Sequence, residues 1–151
     1  AVSYLLITLR RSAAGTPCIQ IDDPPCQIVG PCGDELLRFF EWRTALSDPG
    51  RTADLLSRRL RLTPGIRIEQ EYLMTADGLT LEHVRLKKTG GLRYPLAIHV
   101  NVARLLAGCD GSHTLRELVE DLSRALGADV DPTAAVALPV IGMLLERAVL
   151  V

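Results

Sequence analysis

The segment that most constrains the fold is residues 2–10, a nearly continuous run of β-branched and long aliphatic side chains closed by arginines. Such a run predicts a strand buried on both faces of a sheet. Because little of the remaining chain could flank it on both sides, we expect residues 1–11 to complete the sheet of an upstream domain. Without that sheet, the strand would join a local sheet edge or form a homodimer through its own copy.

Length and charge exclude several classes of protein. The chain has 151 residues and a formal net charge of -1, so no global basic field attracts it to nucleic acid or anionic lipid. No segment approaches the roughly 18 uninterrupted apolar residues of a spanning helix, and the amino terminus lacks the layout of a signal peptide. We therefore expect a cytoplasmic protein with no membrane partner.

Three of the four cysteines lie in a proline-rich stretch, which we interpret as a linker over residues 12–33. They are Cys18, Cys26 and Cys32, whereas Cys109 lies far downstream. Structural zinc usually takes close Cys-x2-Cys pairs, and the intervals here are longer. A reducing compartment also disfavours disulfides. Free thiols and no metal site are the expectation.

Residues 34–91 predict a pair of helices followed by a β-hairpin. The first helix begins at Gly33-Asp34, and the second is predicted over residues 52–62. Between arms at residues 66–76 and 79–89, Asp77-Gly78 is a strong signal for a type I′ turn. The apolar alternation changes phase between the arms, so a bulge is predicted near His83.

Residues 92–151 predict a winged-helix-like subdomain. The order is strand 92–98, helices 100–107, 115–126 and 132–146, and strand 149–151, which should pair with the first strand. Thr114 with Glu117 predicts a capping box, Asp131 an N-cap, and Pro139 a kinked or split helix.

The last of these helices lacks the polar side chains with which a protein contacts DNA bases. Between residues 132 and 145 it carries Thr133 as its only polar side chain, whereas a helix in the major groove needs polar contacts to bases. We therefore expect no sequence-specific DNA partner. The predicted fold class is α+β, a small antiparallel sheet with helices that ends in a winged-helix-like unit.

Five segments resemble, in order, the C-terminal region of bacterial class I S-adenosylmethionine-dependent methyltransferases, in which a winged-helix-like domain follows a small-methyltransferase catalytic domain. They are residues 1–6, 34–43, 58–65, 90–95 and 105–115. The last segment is also similar to peptide-binding winged helices that escort substrates to modifying enzymes. The resemblance implies that S-adenosylmethionine belongs to the parent protein, because the Gly-rich cofactor loop and the Asn-Pro-Pro-Tyr-type motif are absent here. No catalytic or cofactor-binding residue of that family can therefore be named in this chain.

The densest basic group is a candidate contact to substrate or to an RNA backbone. Its members are Arg58, Arg59, Arg61 and Arg67. A solvated face is the simpler interpretation of this group. Glu69 and Glu71 share one strand face and invite an acid–base reading, but alternating charges on a strand usually mark its solvated side.

Two functions remain open from the sequence. The first is an accessory domain that helps a methyltransferase to select a protein or RNA nitrogen, with the upstream catalytic domain as its partner. The alternative is a stand-alone peptide- or protein-binding module without enzymatic activity. A cofactor loop encoded upstream of residue 1 distinguishes the two.

Overall fold

The computed structural model describes residues 8–9, 28–93 and 95–151. These residues form an α+β fold, which confirms the predicted class. In chain order the elements are β1 (Ile28–Val29), α1 (Gly33–Leu46), α2 (Pro49–Asp54), β2 (Ile66–Thr75), β3 (Gly78–Lys88), β4 (Gly91–Leu92), β5 (Leu96–Ala97), α3 (Val100–Ala107), α4 (Leu115–Leu126) and α5 (Val130–Glu146). Most of the predicted strand over residues 2–10 and most of the predicted linker lie outside the described residues, and residues 8–9, which are described, are not in a strand.

The second predicted helix, over residues 52–62, is wrong in its extent. Helix α2 ends at Asp54, a single 3-10 turn follows over Leu55–Ser57, and Arg58 is extended. The leucines in this segment have helical spacing, but the backbone of its second half forms hydrogen bonds with distant segments and is therefore extended. Leu62 N–H donates to Cys109 O (3.0 Å), and Arg61 N–H donates to Val151 O (2.8 Å).

The carboxyl-terminal residues pair with a different segment from the one predicted. Residues 149–151 pair antiparallel with residues 61–63, through the Leu62–Leu150 bridge and bonds such as Thr63 N–H to Val149 O (2.9 Å). The expected pairing with strand 92–98 is therefore wrong. The segment around Leu62 is central, because its other edge bonds to residues 109–110 and so satisfies its backbone on both sides.

The hairpin is confirmed, with a correction to its turn. Thr75 pairs with Gly78, so the two loop residues are Ala76 and Asp77, and neither has the positive φ that a type I′ turn requires. Gly78, with φ +114°, follows the turn. The predicted bulge is present, since the register shifts opposite Glu71 and leaves Glu82 as the extra residue.

The predicted strand over residues 92–98 is two separate strands. Antiparallel pairing joins β4 to β1, while β5 pairs with β3 at Arg85 and Leu86. Pro95 lies between β4 and β5, where its missing N–H interrupts any continuous ladder.

The three carboxyl-terminal helices form as predicted, except for one cap. Thr114 and Glu117 make the capping box reciprocally. Asp131 is not the N-cap, because α5 already begins after Asp129. Pro132 is tolerated in the first turn, where a missing N–H costs no helical bond. The helix is not split at Pro139.

One core joins both predicted segments, 34–91 and 92–151. Its fully buried side chains include Leu55, Leu86, Leu106 and Leu144. Helix α5 packs against both α1 and α4, so much of the helix that would read DNA in a winged helix is covered here. Among the described residues, no helix combines the length and apolarity required to cross a bilayer.

Candidate functional site

The four predicted contact arginines do not form one patch. Arg58 lies over the Trp42 ring, with its guanidinium carbon 5.4 Å from the ring centroid. Arg59 donates to Ser112 O, and the Arg61 side chain lies against Gly111. Arg67 is instead on β2, opposite Lys87. Three of these arginines thus support neighbouring segments, and the fourth belongs to the hairpin.

The loop before α4 contains a carboxylate, a hydroxyl and an imidazole in contact. Ser112 Oγ donates to Asp110 Oδ1 and lies 2.7 Å from His113 Nδ1. A hydrolytic triad needs the imidazole between the nucleophile and the carboxylate, whereas here the hydroxyl is central. Hydrogen bonds from Ser112 lower the pKa of Asp110, which is the behaviour of a carboxylate that stabilises a turn.

Cys109 is a structural thiol. It is 3% exposed, and burial followed by the charge of Asp110 raises its pKa to about 11. Only the thiolate is an effective nucleophile or metal ligand. Cys32 is the other free cysteine of the described chain, and these residues contain no group of three or more potential metal ligands.

A shallow, open pocket of about 420 Å³ lies between α1 and the carboxyl-terminal segment. It is lined by Arg38, Glu41, Trp42, Thr63, Pro64 and Val151. Thr63 Oγ1 is buried there without a hydrogen-bond partner among the described residues. Because no described group hydrogen-bonds to this hydroxyl, nothing in the described structure activates it as a nucleophile.

A buried ion pair locks α1 onto the core. Lys88 Nζ lies 2.9 Å from Glu35 Oε1, and the two side chains are 4% and 19% exposed. Glu35 Oε2 also accepts from Leu92 N–H (2.8 Å), and Lys88 Nζ donates to Arg147 O (3.4 Å). The Lys88 ammonium and the Glu35 carboxylate therefore hold α1, β3 and β4 together.

The outer half of the hairpin is an exposed surface that no further strand of the described chain pairs with. We call residues 69–82 the hairpin arm. Strand β3 pairs with β5 at Arg85 and Leu86, and the last bond on this side joins Ile98 N–H to Val84 O (3.0 Å), so the arm is a two-stranded ribbon. On one face Tyr72, Met74 and Leu79 are 49%, 73% and 65% exposed. Isolated ribbons are marginal in water, and contiguous exposed apolar surface marks an interaction site.

The opposite face of the hairpin carries two ion pairs where the arm meets the core, and Leu73, which is 54% exposed, lies on the same face further out. Glu69 Oε2 lies 2.6 Å from Lys87 Nζ, and Glu71 Oε2 lies 3.5 Å from Arg85 Nη2. All four side chains are about half exposed. The interpretation of Glu69 and Glu71 as a solvated face is therefore confirmed. Sequence alternation indicated an amphipathic hairpin, but not that its apolar outer half projects beyond the core.

Comparison with known proteins identifies a family for most of the chain. Residues 37–151 match the family described as "Domain of unknown function (DUF7782)". The match begins within α1 and includes the hairpin arm, the shared core and α5. No curated protein matches the chain.

Proposed function

The chain belongs to the DUF7782 family, and we propose that it is the C-terminal accessory domain of a cytoplasmic S-adenosylmethionine-dependent methyltransferase. In this proposal an upstream catalytic domain holds the cofactor and transfers the methyl group to a protein or RNA nitrogen. The present chain recognises the substrate. The observation that carries a recognition role is the exposed apolar face of the hairpin arm, formed by Tyr72, Met74 and Leu79.

The use of the polar side chains supports recognition over chemistry. The carboxylates of Glu35 and Glu117 accept backbone N–H groups, and Asp110 holds a turn. Hydrogen bonds from Thr114 lower the pKa of Glu117, so this carboxylate is poised as a cap and not as a general acid. Because these carboxylates have structural roles, the exposed surface of the described residues is the feature that supports a binding function.

The cofactor assignment is tested by calorimetric titration of S-adenosylmethionine. We expect the parent polypeptide to bind it and the 151-residue chain to give no heat of binding. Micromolar binding by the chain itself would overturn the assignment. An upstream coding region without a cofactor loop would leave the stand-alone binding module as the function.

The recognition role is tested with the Met74→Ser and Leu79→Ser double variant of the parent polypeptide. Transfer of tritiated methyl groups to undermethylated cell extract should fall severalfold at low substrate, with cofactor binding unchanged. Thr80→Ser, on the other face of the arm, is the matched control. Digesting the extract beforehand with protease or with ribonuclease identifies the acceptor class. Equal rates for all variants would remove the arm from substrate recognition.

A further inference from the structure

We propose that the outer edge of β2 binds an extended protein segment as an additional strand, with basic residues opposite Glu69 and Glu71 and apolar residues opposite Tyr72 and Met74. This inference rests on the proposed function only in taking that segment as part of the substrate. Binding itself requires neither cofactor nor catalysis.

The hydrogen-bond pattern shows which residues of β2 face the open edge. Thr89 N–H donates to Gly65 O (2.9 Å), and Ile98 N–H donates to Val84 O (3.0 Å). Because residues in an antiparallel ladder alternate between the two sides, both bonds assign the odd-numbered residues of β2 to β3. The even-numbered residues direct N–H and C=O outward, and within the described chain no strand pairs with them. They include Ile68, Gln70, Tyr72 and Met74.

The two faces of this edge specify the side chains of the added strand. The outward-bonding residues Tyr72 and Met74 carry the exposed apolar face, so the residues opposite them gain contact by being apolar. Glu69 and Glu71 lie on the other face and are half exposed. A lysine or arginine opposite each would complete a second ion pair. The bound segment therefore has two apolar residues one position apart, followed directly by two basic residues one position apart, in the order apolar-x-apolar-basic-x-basic.

A second copy of the chain fits this edge less well. Antiparallel pairing of β2 with itself, centred on any residue from 69 to 71, places a carboxylate of Glu69 or Glu71 directly opposite another. The apolar face consists of three exposed large side chains, Tyr72, Met74 and Leu79, whereas each partner of a stable complex buries about 800 Å². An extended segment compensates through backbone hydrogen bonds. RNA is disfavoured because a phosphodiester backbone lacks the alternating N–H and C=O groups that complete a strand edge.

The probe is the capped heptapeptide Ac-VTVKTKV-NH2, in which the antiparallel register sets valines opposite Met74 and Tyr72 and lysines opposite Glu71 and Glu69. Amide hydrogen exchange of the full 151-residue chain is measured by NMR with and without peptide. We expect exchange to slow at Gln70, Tyr72 and Met74, whereas Glu69 and Glu71, already bonded to β3, stay unchanged. The absence of this alternation at millimolar peptide would overturn the proposal.

Three variants separate edge pairing from misfolding. Glu69→Lys with Glu71→Lys should weaken the basic peptide about two- to fivefold per ion pair and strengthen Ac-VTVETEV-NH2 in the same proportion. Gln70→Pro removes one outward N–H and should abolish binding, while Gln70→Ala retains it. If the double lysine variant still binds the basic peptide more tightly than Ac-VTVETEV-NH2, the charge assignment is contradicted.

The remaining outcomes are also decisive. Slowed exchange that depends on protein concentration without peptide would replace the proposal with self-association. Displacement of the peptide by oligouridine would replace it with RNA binding. Methyl transfer is absent from all these measurements, so peptide binding can succeed where the methyltransferase proposal fails, and the reverse.

Discussion

The ion pair of Lys88 and Glu35 provides the sharpest test of what holds α1 in place. Both side chains are largely buried, and their atoms lie 2.9 Å apart. Breaking a buried pair by removing one partner typically costs about 3–5 kcal/mol, because the remaining charge is left uncompensated. Since total stability of a domain is about 5–15 kcal/mol, this loss is readily measured.

We expect the two single variants to differ. Glu35→Gln should lower the free energy of unfolding by about 3 kcal/mol, because it leaves the charge of the Lys88 ammonium buried without a counter-charge. Lys88→Met should cost about 2 kcal/mol, because Glu35 is more exposed and keeps the Leu92 N–H. The double variant should cost about 2 kcal/mol less than the sum, since neither charge then remains.

Urea denaturation of the four proteins, followed by circular dichroism, measures this cycle. The matched control is Lys87→Met, one residue away, whose ammonium pairs with Glu69 but is 46% exposed. That change should shift stability by less than about 0.5 kcal/mol. Additive single effects, or a loss at Lys87 equal to that at Lys88, would refute burial as the cause.

Three further predictions follow from local geometry. Gly91→Ala should be strongly destabilising, because φ is +66° and an added Cβ would overlap the Glu35 carboxylate of the buried ion pair. Gly90→Ala is the control, since its Cβ would meet nothing closer than 3.8 Å. Thermal denaturation compares the two variants. Cys109 should resist iodoacetamide at pH 8 in the native protein and react after unfolding, because burial raises its pKa to about 11; mass spectrometry measures the modification. Thr114→Ala should cost about 1 kcal/mol by urea denaturation. Because the pKa of Glu117 is lowered in the fold, the cap's contribution is complete above the unfolded-state pKa and is lost as pH falls through the folded value.

Local rules predicted most elements but not their partners. The capping box of Thr114 and Glu117 and the bulge near His83 depend on neighbouring residues, and both are confirmed. The helix predicted over residues 52–62 was wrong because leucine spacing is compatible with a helix, while the pairing of Leu62 with Leu150 is long-range. The hairpin's two-faced pattern was visible, but its projection depends on where β5 stops along β3.

The amino-acid sequence by itself determined the α+β class, the hairpin and the three carboxyl-terminal helices, because turn chemistry, capping and apolar period act over a few residues. Only the tertiary structure decided that residues 149–151 pair with residues 61–63. It alone separated the four arginines and joined Lys88 to Glu35 across 53 positions. The physical reason is that burial and backbone satisfaction are properties of the packed chain, and many distant partners are compatible with any one local pattern.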